Sequence, residues 1–536
     1  MARKLALGSL AACGIAILAA AFQQDPWAQE KKDPKFADVD WAYNQDTPID
    51  PGMAPMGQPL YERFCVQCHG ATGDGHGALS EMLIPPPRDF TRGIFKGRSS
   101  HPDLPPTATD LMRSLIHGIP LSAMLSYSFI NTFEQMSLIA YVRSLAAKTF
   151  EKGFGFPLKS GNFHRDAGMP FPTAETIARG RALFDRMACV KCHGVDGDAK
   201  GELAGTLTDS DDGRPSNVRD LTQGIYSGGP NVRHMYLRVS GGVQGTVMPG
   251  FATSASVDDR WALAHYVMSL SQRAKELPLP HSELLAVSKV AAPVPSTPGD
   301  PAWAALADRK RPAEAPGPFG YPMQPFYVLP IYFQQLRHNT ARRYFTEAFV
   351  SALHDGTTLA IRVEWEDASE DPGDRIEIEL QPEKRPGFAI YGSEADPVSL
   401  WRWEGKAPKA AAKFDAKGPF AVVPQAGVLN GSATGVYDAA KKRWAVVFTW
   451  SLAGGGGSDG PIAAGDNIPF LVHMKDGSEA WPEGTRKIEA PPDSDPADVE
   501  KAKADEAERQ KREKAIQEKF KDLPRHMTTW HHLQLE

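Results

Sequence analysis

The chain of 536 residues has five cysteines, and four of them fall in two matching motifs. Cys65-Val66-Gln67-Cys68-His69 and Cys189-Val190-Lys191-Cys192-His193 both read C-x-x-C-H. Two thiols three positions apart lie on one turn of helix, where they can form thioethers to the two vinyl groups of a porphyrin. The next residue, His, then lies beneath the iron as an axial ligand. This is the attachment signature of c-type haem. One copy alone would also suit a zinc half-site or a redox dithiol. A zinc knuckle needs another close C-x-x-C or His pair, and a redox pair needs a βαβ setting; the sequence offers neither. Cys13 lies in the N-terminal apolar run, so no cysteine remains for a structural disulfide.

The two motifs head an internal repeat. Gly70, Gly73, Asp74, Gly77 and Leu79 recur as Gly194, Gly197, Asp198, Gly201 and Leu203, all at an offset of 124. The offset rises to 131 at Arg88-Asp89 and Arg219-Asp220, then returns to 124 at Met124 and Met248. Spacing that recovers after an insertion marks two homologous units. Met124 and Met248 each follow their motif His by 55 residues, in Gly-bearing loops, which makes them the candidate sixth ligands. Thioether sulfur favours Fe(II), so His/Met ligation raises the reduction potential. The metal pairs expected are His69 with Met124 and His193 with Met248. Iron with both axial positions filled has no place for a substrate, so no catalytic residue is assigned. A dihaem peroxidase or small-molecule dehydrogenase, the competing reading, needs one five-coordinate iron.

Helices must hold these groups. The stretch 173–194 reads as a helix entering the second attachment turn, with Ile177, Leu183 and Phe184 on one face. Residues 132–147 and 257–272 read as amphipathic helices closing each unit. On these motifs both units resemble class I cytochrome c domains, over about residues 53–148 and 173–275. The resemblance implies two all-α domains with two covalent haems c. It places residues 85–90 and 219–221 beside the haem edge, with Arg88 and Arg219 as candidate propionate partners.

The C-terminal part has another texture. Alternating, β-branched runs over about 331–490, such as TTLAIRVEWED and RWAVVFTWSL, predict a mainly antiparallel β-sandwich. Val363-Glu364-Trp365-Glu366-Asp367, YGSEADPVSLWRWEG from Tyr391, GVYDAAKKRWAVVFTWSL from Gly435 and DGSEAWPEGTRKIEA from Asp476 resemble the haem b-binding gamma subunits of the ethylbenzene dehydrogenase group. Those subunits accompany molybdenum enzymes of the dimethyl sulfoxide reductase superfamily. The resemblance implies haem b held by a Met and a Lys. Lys487 stands at the Lys position, but Tyr391 stands where the Met would be, and Met474 is the nearest substitute. A third reading makes this a sugar-binding module, with Trp401, Trp403 and Trp481 as a stacking surface.

The chain divides into a signal peptide or membrane anchor (1–22), a linker (23–50), two haem units (51–150 and 171–275), a Pro/Ala-rich linker (276–324), the β domain (325–490) and a charged helix with a tail (494–536). A basic tip before the apolar run 5–22 is a secretion signal, long enough also to span a bilayer. Leu10-Ala11-Ala12-Cys13 also resembles a lipoprotein cleavage box. The expected location is periplasmic. A net charge of −6 gives no footprint for nucleic acid. The expected partners are redox enzyme subunits, a molybdenum enzyme among them, and another cytochrome or membrane acceptor.

Overall fold

A computed structural model describes residues 49–98, 105–151, 170–271, 284–307, 326–334, 347–478 and 495–535, apart from short stretches within them. The apolar run 5–22 lies outside the described residues. Among the described residues no helix is long and apolar enough to cross a membrane.

The first unit holds α1 (Ala54–Phe64), α2 (Val66–His69), α3 (Ala108–His117), α4 (Thr132–Leu145) and α5 (Ala147–Glu151). The second holds α6 (Ala174–Arg186), α7 (Val190–His193), α8 (Val232–Gly241) and α9 (Val257–Ser269). Side-chain caps start α3, α4, α6 and α9. Thr107 with Asp110 and Asn131 with Glu134 form capping boxes on α3 and α4, and Ser256 caps α9. In each unit the first helix crosses a later one, α4 or α9, where a side chain cannot fit. A Cβ on Gly57 would overlap the Ser137 carbonyl, and one on Gly180 the Ala262 carbonyl. Removing the side chain lets α1 meet α4, and α6 meet α9, backbone to backbone.

The C-terminal part begins earlier than expected. Strand β1 (Leu284–Lys289) and helix α10 (Pro301–Ala307) lie in the segment read as a linker. Strands β2 (Phe326–Pro330), β3 (Phe333–Gln334), β4 (Glu347–His354), β5 (Thr358–Glu366), β6 (Arg375–Leu380), β7 (Val398–Glu404), β8 (Ala412–Ala416), β9 (Val422–Pro424), β10 (Gly431–Asp438), β11 (Arg443–Ser451) and β12 (Asn467–Lys475) follow. Then come α11 (Pro496–Phe520), β13 (His526–Met527) and β14 (His531–Leu535). The tail thus completes the sheet.

The strand order is β10-β11-β5-β4-β1-β14-β12-β6-β7-β8-β9. Strand β1 joins two layers by pairing in parallel with both β4 and β14. The sheet is mixed: among the described pairings β1–β4 and β1–β14 are parallel and the others antiparallel. Alternation in β5 turns Leu359, Ile361, Val363 and Trp365 into the core. Trp401 and Trp403 are fully buried there with Trp365 and Trp444, so these two form core and not a sugar-stacking surface. Trp481 lies outside the described residues.

The first unit and the β domain share one apolar core. Tyr61, Phe64 and Leu138 belong to the same cluster as Tyr391, Leu400, Phe520 and Trp530. The charged helix α11 helps bind them: Lys519 and Arg512 reach Glu81 of the first unit at 2.9 and 3.9 Å. The second unit keeps its own core around Phe184, Tyr236, Trp261 and Tyr266.

Candidate haem sites

Each motif is a short turn of helix following a longer one. The His69 amide donates to the Cys65 carbonyl at 2.8 Å, and His193 to Cys189 at 2.9 Å. Gly70 and Gly194 end the turns at φ +78° and +79°, a region that favours glycine. Both His rings are then fixed alike. His69 Nδ1 lies 2.9 Å from the Arg88 carbonyl, and His193 Nδ1 lies 3.0 Å from the Arg219 carbonyl. A carbonyl only accepts, so Nδ1 carries the proton and Nε2 keeps the lone pair that a metal needs. Burial pulls the His69 imidazole down to about 4 and lowers His193 as well, keeping both neutral.

The Arg88 and Arg219 backbones thus do work that the sequence reading missed. Any residue type has a carbonyl, so only the recurrence of Arg-Asp could have pointed there. Asp89 and Asp220 cap the short turns that follow, accepting from the Thr91 and Thr222 amides at 2.9 Å each.

Met124 and Met248 occupy matching loops. The Met124 amide donates to Ser122 Oγ at 3.1 Å, and its carbonyl accepts from the Ile119 amide at 2.8 Å. Met248 does the same with Thr246 Oγ1 at 3.1 Å and the Val243 amide at 3.1 Å. The loop after each Met is pinned back to a helix, Tyr127 to Leu115 at 2.8 Å and Phe251 to Val239 at 2.9 Å. A cavity of about 300 Å³ lies beside Met248, lined also by Ser240, Gln244 and, from the first unit, Arg98.

The thiols are the reverse of a redox pair. Burial pushes Cys68 up to about 12 and Cys189 up to about 11, and raises Cys65 and Cys192 too. Redox C-x-x-C pairs have a lowered thiol instead. With neutral His Nε2, paired thiols and a Met loop in each unit, the donor set fits covalent haem.

The expected haem b position does not fit. Tyr391 is buried, and its hydroxyl donates to Glu377 Oε2 at 2.6 Å. Around it, Arg402 and Arg375 pair with Glu377, and His473 Nε2 meets Glu379 at 2.7 Å. This fills the place with a buried ionic network. Met474 follows His473 along β12 and so faces the opposite side: it lies in the sandwich core, whereas Tyr391 belongs to the core shared with the first unit. Met474 therefore cannot replace the missing ligand. Lys487 lies outside the described residues.

Residues 177–271 match the cytochrome c family. They form a cytochrome c domain. A covalent haem c and an electron-transfer role follow for that domain. No curated protein matches the chain. Among solved structures, the chain is similar to one from the reducing HAO-like protein complex of Kuenenia stuttgartiensis, at 34% identity and a TM-score of 0.39, over 42% of this chain and 100% of that one. It is also similar to a carbohydrate-binding module of family 9 from Caldicellulosiruptor kristjanssonii in complex with glucose, at 11% identity and a TM-score of 0.20, over 37% of this chain and 81% of that one. Likenesses at these TM-scores carry no argument about function here.

Proposed function

We propose that the chain is an exported dihaem c-type cytochrome that relays electrons between a redox enzyme and a second carrier. The observation that carries this reading is the repeated frame. Each unit has a C-x-x-C-H turn, a His Nδ1 fixed by an Arg carbonyl, and a Met loop tied by a Ser or Thr hydroxyl. Cys65, Cys68, His69 and Met124 would hold the first haem, and Cys189, Cys192, His193 and Met248 the second. When bound, haem c supplies a one-electron Fe(III)/Fe(II) couple. The chain's part would be to hold the iron through His and Met and to keep those side chains in place through both oxidation states.

The two units meet directly, which suits a relay. Arg238 donates to the Lys96 and Arg98 carbonyls at 2.8 Å each, and Lys96 pairs with Asp209 at 2.7 Å. We propose a periplasmic location from the N-terminal apolar run. A molybdenum-type oxidoreductase is the proposed partner class, from the resemblance of the β domain. A redox titration of the exported protein tests the reading. Two low-spin haems that exchange electrons with a docked oxidoreductase are expected. A high-spin haem that shifts with peroxide, with no transfer to any carrier, would establish a peroxidase instead.

A further inference from the structure

Four aspartates meet where the loop after β5 reaches the end of β12. Asp367, Asp371 and Asp374 lie on the loop between β5 and β6, and Asp476 follows β12. One carboxylate oxygen from each lies within 4.8 Å of the others. We propose that these four carboxylates bind a calcium ion that locks the β5–β6 loop to the end of β12.

Burial makes the cluster unusual. Asp367, Asp374 and Asp476 are 4%, 0% and 5% exposed. None of the four pairs with a Lys, Arg or His among the described residues. Buried like charges without a counter-ion are costly unless a cation joins them. The other polar groups are only partial compensation. Asp374 accepts from the Gly477 amide and the Trp444 indole at 2.8 Å each, and from the Asp371 amide at 2.7 Å. Asp476 accepts from Ser478, and Asp371 from the Ser369 hydroxyl at 2.7 Å. Asp367 Oδ1 takes one long bond of 3.3 Å from the Ser369 amide. Its Oδ2 is buried and has no hydrogen-bond partner among the described residues. The Trp365 indole beside Asp367 favours its ionised form. Burial first, then the charges of Asp374 and Asp476, push the Asp367 carboxyl up to about 7.

The backbone is built to bring these charges together. A Cβ on Gly477 would lie 2.7 Å from Gly373, so the two loops touch backbone to backbone. An all-oxygen, all-carboxylate donor set selects a hard cation. Calcium holds its oxygens at about 2.3–2.6 Å, so opposite ligands stand roughly 5 Å apart, matching this spread. Magnesium holds a tighter octahedron and keeps several waters.

The test is calorimetric titration of chelator-stripped, full-length protein with calcium chloride, for the wild type, Asp367→Asn and Asp371→Asn. The wild type should bind calcium and melt higher with it. Asp367→Asn should weaken binding by about tenfold or more. Asp371→Asn, on the half-buried side of the loop, should weaken it in the same direction, and it decides the matter should Asp367→Asn not fold. Three results would overturn the proposal: no binding at about 1 mM calcium, unchanged binding in the variants, or binding of magnesium alone. A cluster that needs only a proton would show no calcium response.

Discussion

The two C-x-x-C-H units repeat the same local frame in different surroundings. In the first, His69 is only 9% exposed, and the Phe90 ring stacks on it at 4.2 Å. In the second, Leu221 takes the place of Phe90, and His193 is half-buried. The first unit shares its core with the β domain, while the second closes around its own. The frame that fixes iron chemistry has been kept, and the packing that tunes it has diverged. Burial disfavours the more highly charged ferric state, so the first site should have the higher potential. The more open second unit is the better place for a carrier to dock.

The largest expected effect breaks the symmetry outright. Replacing Cys65 and Cys68 by serine should remove one covalent haem and also lower the melting of the β domain. Replacing Cys189 and Cys192 should remove one haem and leave β-domain melting unchanged. Haem quantitation with calorimetry reads both outcomes. Next come the Met loops. Met124→Ala and Met248→Ala should each lower one potential and open one iron to added ligands, read by potentiometry and cyanide binding. Equal effects on both haems from either variant would deny that each Met serves its own unit.

Backbone crossings give a smaller, paired effect. Gly57→Ala and Gly180→Ala should each cost roughly 3 kcal/mol by forcing a helix pair apart. Only Gly57→Ala should disturb the β domain as well. Acid should act on the same seam. Burial alone would raise Glu377, but Arg375, Arg402 and His473 outweigh it and hold its carboxyl down to about 2. A depressed carboxylate pKa adds stability above the ordinary value of 4.5, and that stability is lost as pH falls towards 2. Calorimetry over this window should show the first unit and β domain loosening together, by on the order of 2 kcal/mol. The smallest effect is at the Arg63–Asp396 ion pair, 2.5 Å long and bridging the first unit to the β domain. Arg63→Ala should cost about 1 kcal/mol or less.

The covalent motifs were legible because their chemistry demands adjacent residues. The matching Met loops were legible because the repeat places Met124 and Met248 at one spacing from their His. The Arg88 and Arg219 carbonyls were not, since a backbone acceptor leaves no mark on residue type. The role of Gly57 and Gly180 depends on a partner helix about 80 residues away. Strand runs such as 358–366 were read from alternation, but β1 and β14 pair across almost the whole β domain. That pairing has no local signature, so one was read as a linker and the other was left unassigned. Tyr391 looked like a lost ligand in sequence; in the fold it is part of a buried ionic network with Glu377.

The central claim is two covalent haems on one chain. A pyridine haemochrome assay on the exported protein, with acid–acetone extraction alongside, tests it most directly. Two haems per chain are expected, both retained by the protein and neither extractable. A colourless protein, or one with all four motif thiols free to react, would contradict it.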